Sequence, residues 1–268
     1  MPNPLGRPKK TLPEGLLARF LGGASEAALA KEFKVGRATI HRRLVSLGAI
    51  TRTAIEARSL QTRRSFTTTD RLGELIDGLL LGDAWIELDR TSEGRLCIEQ
   101  REDRQSWLIA LQSEFEMAGV KCYPGFREPR TARIKGKVFL GKASVTLRTG
   151  KYRPFTDQRN RWYPNGSKRV PVDVRVGPHA LAQWYWGDGS TSNSGYRMIF
   201  HTDGFPEEDV RFLQRRLHEE YGWLPTIQRR NQDCWILALS RKDHRRELVS
   251  LIRPFCPPCF GYKLIIKE

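Results

Sequence analysis

The sequence predicts an α+β fold of two pseudo-symmetric halves, preceded by a small all-helical unit. Three observations carry that expectation. Two apolar stretches, Leu75 to Asp83 and Leu181 to Gly189, share a Gly-Asp pair and set Asp83 and Asp188 105 residues apart. Each stretch is followed by the same succession: a strand-like run, an amphipathic helix, and more strand-like runs. The first 69 residues also differ from the rest, with 13 Lys and Arg against 4 Asp and Glu.

Residues 1–11 form a basic arm. Gly6-Arg7-Pro8-Lys9-Lys10 resembles the core of an AT-hook, which lays an extended Arg, here Arg7, into a narrow minor groove where negative potential concentrates. The flank is basic on one side only, so a plain disordered arm is the alternative. Residues 12–50 read as helices, with Ala28, Leu29, Phe33, Val35, Ile40, Leu44 and Leu47 at helical spacing and Ser25 as an N-cap before Glu26. Leu29 to Ile40 resembles a helix-turn-helix of the resolvase kind. Its second helix would start near Arg37 and present Arg37, Ala38, His41 and Arg42 to a major groove. Lys34 stands at the turn position usually given to Gly, and Gly36 where a capping Ser or Thr is usual. The alternative is a helical hairpin with a solvated basic face. Residues 51–69 are polar and basic and read as a linker, with a short helical start at Ile55 to Leu60 and with Arg58, Arg63 and Arg64 tracking phosphates.

Two halves follow, 70–166 and 167–268, each of order αββαββα. The strand-like runs are Arg95 to Glu99, Lys137 to Leu140 and Ala143 to Leu147 in the first half. In the second they are Arg197 to Phe200, Thr226 to Arg229 and Trp235 to Leu239. Amphipathic helices are expected over 104–117, on Leu108, Leu111 and Phe115, and over 207–221, on Val210, Leu213, Leu217 and Tyr221. Gly119 and Gly222 stop them. The order implies antiparallel sheets.

The two helices that open the halves are apolar nearly all round, so each should be buried. Gly82 and Gly187 offer no side chain and predict a crossing there, which would bring Asp83 and Asp188 side by side. A helix C-terminus is already partly negative, and two carboxylates repel each other. A cation removes both penalties. With no His or Cys nearby, a hard, oxygen-loving ion such as Mg²⁺ is favoured over zinc. The alternative leaves both Asp as ordinary helix-end residues facing water.

Composition narrows the partners. A formal net charge of +16, from 46 Lys and Arg against 30 Asp and Glu, suits a polyanion. Five Cys without paired spacing, no signal peptide and no apolar run of membrane length predict a soluble, intracellular protein. Cytoplasm or organellar matrix, in association with the nucleoid, is the expected location, with no membrane partner. Cys256-Pro-Pro-Cys259 lacks a second pair to complete a zinc site and reads as a turn before the last segment.

From about Leu72 to Leu264 the sequence resembles the LAGLIDADG homing endonucleases, in the single-chain form with two motif copies. The two motif helices carry the resemblance. So do the joining segment Trp162-Tyr163-Pro164-Asn165-Gly166-Ser167-Lys168-Arg169-Val170-Pro171 and the ending Phe260-Gly261-Tyr262-Lys263-Leu264. The resemblance implies a saddle of sheets over DNA, with Asp83 and Asp188 as direct ligands of Mg²⁺ or Mn²⁺ in two-metal phosphodiester hydrolysis. It makes Lys168 and Lys263 the basic residues beside the metals. Gln100, with Asp203 as its partner in the second half, would hold the water network, although an acid departs from the amide expected there. Ala84 stands where Gly is usual, whereas Gly189 fits. Sequence reading is expected from the sheet faces, among Arg127, Arg130, Arg133, Lys135, Lys137, Arg148, Arg197, Arg229, Arg230 and Arg241.

The reading that follows is a site-specific double-strand DNA endonuclease, monomeric, cutting one long asymmetric site. The rivals are an intron maturase, which stabilises folded RNA on a related scaffold, and a non-catalytic DNA-binding regulator. An intein is disfavoured, since no splice-junction nucleophile opens the chain and no His-Asn closes it. A free-standing protein is expected.

Overall fold

The computed structural model describes residues 15–21, 24–47, 65–90, 92–129, 131–134, 137–192, 194–231 and 234–267, with the backbone alone for 132–134, 137–140 and 231. The chain divides into two compact units, Met1–Arg64 and Ser65–Glu268.

The first unit holds α1 (Leu16–Leu21), α2 (Glu26–Glu32) and α3 (Arg37–Ser46). Leu16, Phe20, Leu29, Ile40 and Leu44 form its core. Ala28 and Leu47, expected there, are exposed. The Ser25 hydroxyl accepts the Ala28 N–H at 3.1 Å, as an N-cap should. Between α2 and α3, Lys34 takes φ +50°, a left-handed turn that normally selects Gly, and Gly36 caps α3 without a side-chain bond. A turn joins the two helices despite both departures in sequence.

The second unit begins earlier than the linker reading implied. Phe66 packs against Tyr152 and Phe155, with ring centroids 5.4 and 5.2 Å apart. Its first half runs α4 (Asp70–Leu81), β1 (Trp85–Leu88), β2 (Gly94–Arg101), α5 (Gln105–Met117), β3 (Cys122–Arg127), a hairpin of β4 (Thr131–Ile134) and β5 (Lys137–Leu140), β6 (Ser144–Thr149) and α6 (Arg153–Trp162). The second runs α7 (Pro178–Asp188), β7 (Gly189–Thr191), β8 (Met198–His201), α8 (Glu207–Tyr221), β9 (Thr226–Asn231), β10 (Cys234–Leu239) and α9 (Lys242–Ile252), then 3₁₀ turns over Arg253–Phe255 and Pro258–Leu264. The sheets are antiparallel, ordered β1-β2-β6-β3 and β7-β8-β10-β9, so the halves share one topology. Gly119 and Gly222 end α5 and α8 at φ +77° and +67°.

The two motif helices are the centre of the core. Leu75, Ile76, Leu79 and Leu80 of α4 and Leu181, Trp184, Tyr185 and Trp186 of α7 are all buried. They touch at the expected position, Gly82 against Gly187, and again one turn earlier. A Cβ on Gly78 would lie 2.3 Å from the Ala180 carbonyl oxygen, whereas one on Gly82 would lie 3.5 Å from Gly187 Cα. Backbone meets backbone there, with no room for a methyl group.

One ion cluster lies inside this core. Asp77 of α4 is fully buried. It accepts Arg161 Nη1 at 2.5 Å and the Arg175 backbone N–H at 3.0 Å, and Arg161 also binds Asp173 at 2.7 Å. The cluster ties α4 to α6 and to the segment entering α7. Among the described residues no helix is long and apolar enough to cross a membrane.

Two stability measurements test this packing. Gly78→Ala, with its methyl against a backbone carbonyl, should cost about 3 kcal/mol, and Gly82→Ala about 1 or less. Equal denaturant midpoints for the two variants would refute a helix contact centred on Gly78. Asp77→Ala should cost about 3 kcal/mol, because it leaves the half-buried Arg161 guanidinium and the Arg175 backbone N–H without their acceptor. A melting temperature within a degree of wild type would show that the cluster is not part of the folded core.

Candidate active site

Helix α4 ends at Leu81, so Gly82 caps it and Asp83 follows, while α7 runs through Gly187 to Asp188. The two ends adjoin. A Cβ on Gly187 would stand 3.1 Å from the Asp83 backbone nitrogen and 3.3 Å from Asp83 Oδ2. The juxtaposition expected of the two carboxylates is present, and its electrostatic cost shows. Burial, then the charge of Asp83, push the Asp188 carboxyl up to about 7; Lys168 and Lys263 act against them, and Asp203 adds to the rise.

Both predicted lysines lie at this centre, in a role that spacing alone did not reveal. Lys168 Nζ donates to the carbonyls of Gly82 at 3.2 Å and Ala84 at 3.0 Å. Lys263 Nζ donates to those of Tyr185 at 3.0 Å and Trp186 at 2.8 Å. Lys168 therefore caps the C-terminal end of α4 and Lys263 that of α7, where the dipole and orphan carbonyls favour a cation. Burial pushes both ammonium groups down to about 8, and for Lys263 the nearby Arg104 adds to it; the two Asp pull the other way.

The remaining groups are not symmetric. Gln100 Nε2 donates to Asp83 Oδ2 at 2.6 Å. The pairing registers, anchored on the two motif Asp, make Thr202 the second-half equivalent of Gln100 and place Asp203 opposite Arg101. Thr202 is buried, with its hydroxyl on the Trp235 carbonyl at 2.5 Å. Asp203 instead meets Arg230 at 3.4 Å. On the strand beside Asp188, His201 Nε2 bonds the Ser190 hydroxyl at 2.8 Å.

A cavity of about 350 Å³ opens beside the carboxylates, lined by Gln100, Arg101, Arg104, Ser190, Tyr262 and Lys263 among others. Arg104 was not singled out by sequence reasoning. It donates to the Cys259 carbonyl at 2.6 Å and the Tyr262 hydroxyl at 2.9 Å, with its guanidinium 4.8 Å from the Phe260 ring centre. Its partners lie some 155 residues away in sequence, and its second-half counterpart is Pro206, so no repeat signal marked it.

Among the described residues no group of three or more His, Cys, Asp or Glu side chains could hold a metal. A hard divalent ion fits the donors that are present: two adjacent carboxylates, one of them resisting ionisation, beside a cavity able to admit water and phosphate. Cys256 and Cys259 are half-buried free thiols in the turns before Lys263.

The candidate nucleic-acid residues separate. Arg127 and Arg148 share the face of the first sheet turned away from Leu96, Ile98 and Leu147. Arg197 and Arg230 hold the matching face of the second, whereas Arg229 alternates onto the face of Ile227, 5.6 Å from the Trp235 ring. Arg241 caps α9, and Arg133 and Lys137 lie on the β4–β5 hairpin. Arg7, Arg130 and Lys135 fall outside the described residues, as do the basic arm and most of the linker. In the first unit, Arg37 and His41 bind the buried Glu26 at 3.1 and 2.8 Å, and Arg42 is exposed. Arg42 donates to the Ala38 carbonyl at 3.3 Å, so all three polar α3 residues expected to face DNA have partners within their own unit.

Comparisons with known proteins agree with this architecture. The profile of the LAGLIDADG DNA endonuclease family matches residues 73–245. An uncharacterised protein of Methanocaldococcus jannaschii is 35% identical over 74% of the chain and 76% of its own length. A cytochrome b mRNA maturase, bI2 of Debaryomyces hansenii, is 27% identical over 71% of the chain and 72% of its own length. The structure of the homing endonuclease I-WcaI bound to its DNA recognition sequence superposes with a TM-score of 0.64 at 20% identity, over 84% of this chain and 98% of that one. By a profile match that spans both motif helices, the chain belongs to the LAGLIDADG DNA endonuclease family.

Proposed function

We propose that the chain is a site-specific double-strand DNA endonuclease, working as a monomer with one pseudo-symmetric centre. The observation that carries this reading is the pair of carboxylates at two adjoining helix ends, each end capped by its own lysine. Asp83 and Asp188 would hold Mg²⁺ or Mn²⁺, with waters and phosphate oxygens completing the shells. Bound there, the ions supply Lewis acidity and neutralise charge on the scissile phosphates.

The protein's own groups do the rest. Gln100 fixes the Asp83 carboxylate through its amide and leaves the other oxygen free. Lys168 and Lys263 bring positive charge within reach of a phosphate that enters between the helix ends, and they offset the helix dipoles. Gly82 and Gly187 keep side chains out of the space between the carboxylates. The basic helix-turn-helix unit would add affinity or extend the footprint.

A second reading is supported by the relatives, which include an mRNA maturase. On that reading the same scaffold stabilises folded intron RNA. Stimulated splicing of a group of intron transcripts, unchanged in Asp83→Asn and Asp188→Asn, would favour it.

Selection from a randomised duplex library with Mg²⁺ separates the readings. Discrete cuts around one long sequence are expected, abolished by EDTA. Asp188→Asn should slow cleavage about a thousandfold or more while DNA affinity stays within a few-fold. Metal-dependent cutting at wild-type rate by Asp188→Asn would refute the assignment. Lys263→Met should lower the cleavage rate about a hundredfold, comparable with loss of one positioned electrostatic group. Loss of duplex affinity with an unchanged rate would instead make Lys263 a binding residue.

A further inference from the structure

The two halves of the centre share a topology but not their polar groups. With Asp83 matched to Asp188, Trp85 stands where the second half has Ser190, and Glu99 where it has His201. In the first half the Asp83 carboxylate is held by the Gln100 amide, while Glu99 is engaged by Arg127 and by the Ser144 hydroxyl, both at 2.7 Å. In the second half the position equivalent to Gln100 is turned away: Thr202 bonds the Trp235 carbonyl, and Asp203 beside it meets Arg230. A hydroxyl stands on this side instead. Ser190 lines the cavity beside the carboxylates, together with Gln100 and Lys263.

The neighbours of Ser190 fix which way its proton points. Ser190 lies opposite Ile199 in the β7–β8 pairing, and His201 is the next residue along that face of β8. His201 Nε2 meets the Ser190 hydroxyl at 2.8 Å. The other ring nitrogen, Nδ1, meets Arg230 Nη1 at 3.5 Å, and the same guanidinium nitrogen reaches Asp203 at 3.4 Å. A guanidinium only donates, and it would face another donor if Nδ1 carried a proton. Nδ1 is therefore the acceptor, and the ring proton sits on Nε2. That N–H donates to Ser190 Oγ and leaves the hydroxyl's own proton for a further acceptor. Among the described residues Ser190 has no second hydrogen-bond partner. Arg230 reaches back in this way because it is the unpaired residue of a bulge. Its neighbours Arg229 and Asn231 pair with Trp235 and Cys234, and a bulge re-aims the side chain it inserts.

We propose that Ser190 is a catalytic residue of the Asp188 half, donating its hydroxyl proton to a non-bridging oxygen of the phosphate that enters there, and that His201 is its positioning residue. A hydroxyl aimed in advance at an oxygen whose charge grows in the transition state lowers the barrier without a reorganisation cost. Trp85 supplies no such donor on the other side, so the contribution is confined to one strand of the target. The two halves thus reach the same chemistry by different polar groups: an amide on the carboxylate in the first, a hydroxyl on the phosphate in the second. This inference rests on the endonuclease reading.

The test is single-turnover cleavage with Mg²⁺ of the duplex selected above, each strand labelled separately, alongside duplex affinity in EDTA and thermal melting of each variant. Ser190→Ala should slow cutting of one strand about ten- to hundredfold and the other by no more than about twofold, so that nicked duplex accumulates while affinity and melting stay unchanged. His201→Phe should slow the same strand about tenfold. His201→Gln, whose amide keeps a donor for Ser190, should recover most of that loss. Ser190→Ala cutting both strands at the wild-type rate, or slowing both equally, overturns the assignment and leaves the endonuclease reading intact. His201→Gln as slow as His201→Phe overturns the positioning role of His201. A wild-type chain that cuts neither strand overturns both readings.

Discussion

The contact of Gly78 with the Ala180 carbonyl is the constraint on which the second unit depends. Two helices without side chains at their crossing approach until backbone touches backbone, and this closeness fixes where both helices end. It places Asp83 against Gly187 and brings two negative helix termini together with two carboxylates. Each sheet hangs from one of these helices through a short connection, so the relation between the two sheet faces follows from the same contact. The aromatic bulk of α7, Trp184, Tyr185 and Trp186, fills the space around the crossing that the glycines leave narrow.

Such an arrangement collects negative charge and must be offset within the fold. Lys168, in the segment between α6 and α7, and Lys263, in the last 3₁₀ turn, do this by donating to the carbonyls that the helix ends leave unpaired. They are buried enough to lose some proton affinity, and Asp188 is buried enough to gain it. Three charges at this centre, those of Asp188, Lys168 and Lys263, are thus displaced from their ordinary proton affinity, the pattern expected of a functional site.

Much of this was legible in the sequence, for reasons specific to each element. The motif helices announce themselves by apolar runs with a shared Gly-Asp, and α5 and α8 by spacing and a terminal Gly. Helix α6 does not, because only Phe155 and Trp162 of its residues are buried, two anchors too few for a visible period. Strand β3 is disguised by Pro124 and Gly125, which its edge position in the sheet permits. Asp203 looked like the mate of Gln100 because strand register is invisible in a single sequence, and a one-residue slip changes which side chain faces the site. Arg104 reaches partners supplied by the far end of the chain, so nothing local could mark it.

The Asp77 cluster bears on how such a protein is divided. Sequence alone places the border between halves near residue 166, in the segment that joins them. Asp77 belongs to the first motif helix, yet its counter-charge and one of its backbone donors come from Arg161 and Arg175, on either side of that border. The connection is therefore interior material, not a tether. A chimera that grafts the first half of this chain onto a foreign second half should carry residues through Arg175 as donor sequence; a seam at 166 would deliver a buried aspartate without its donor at Arg175.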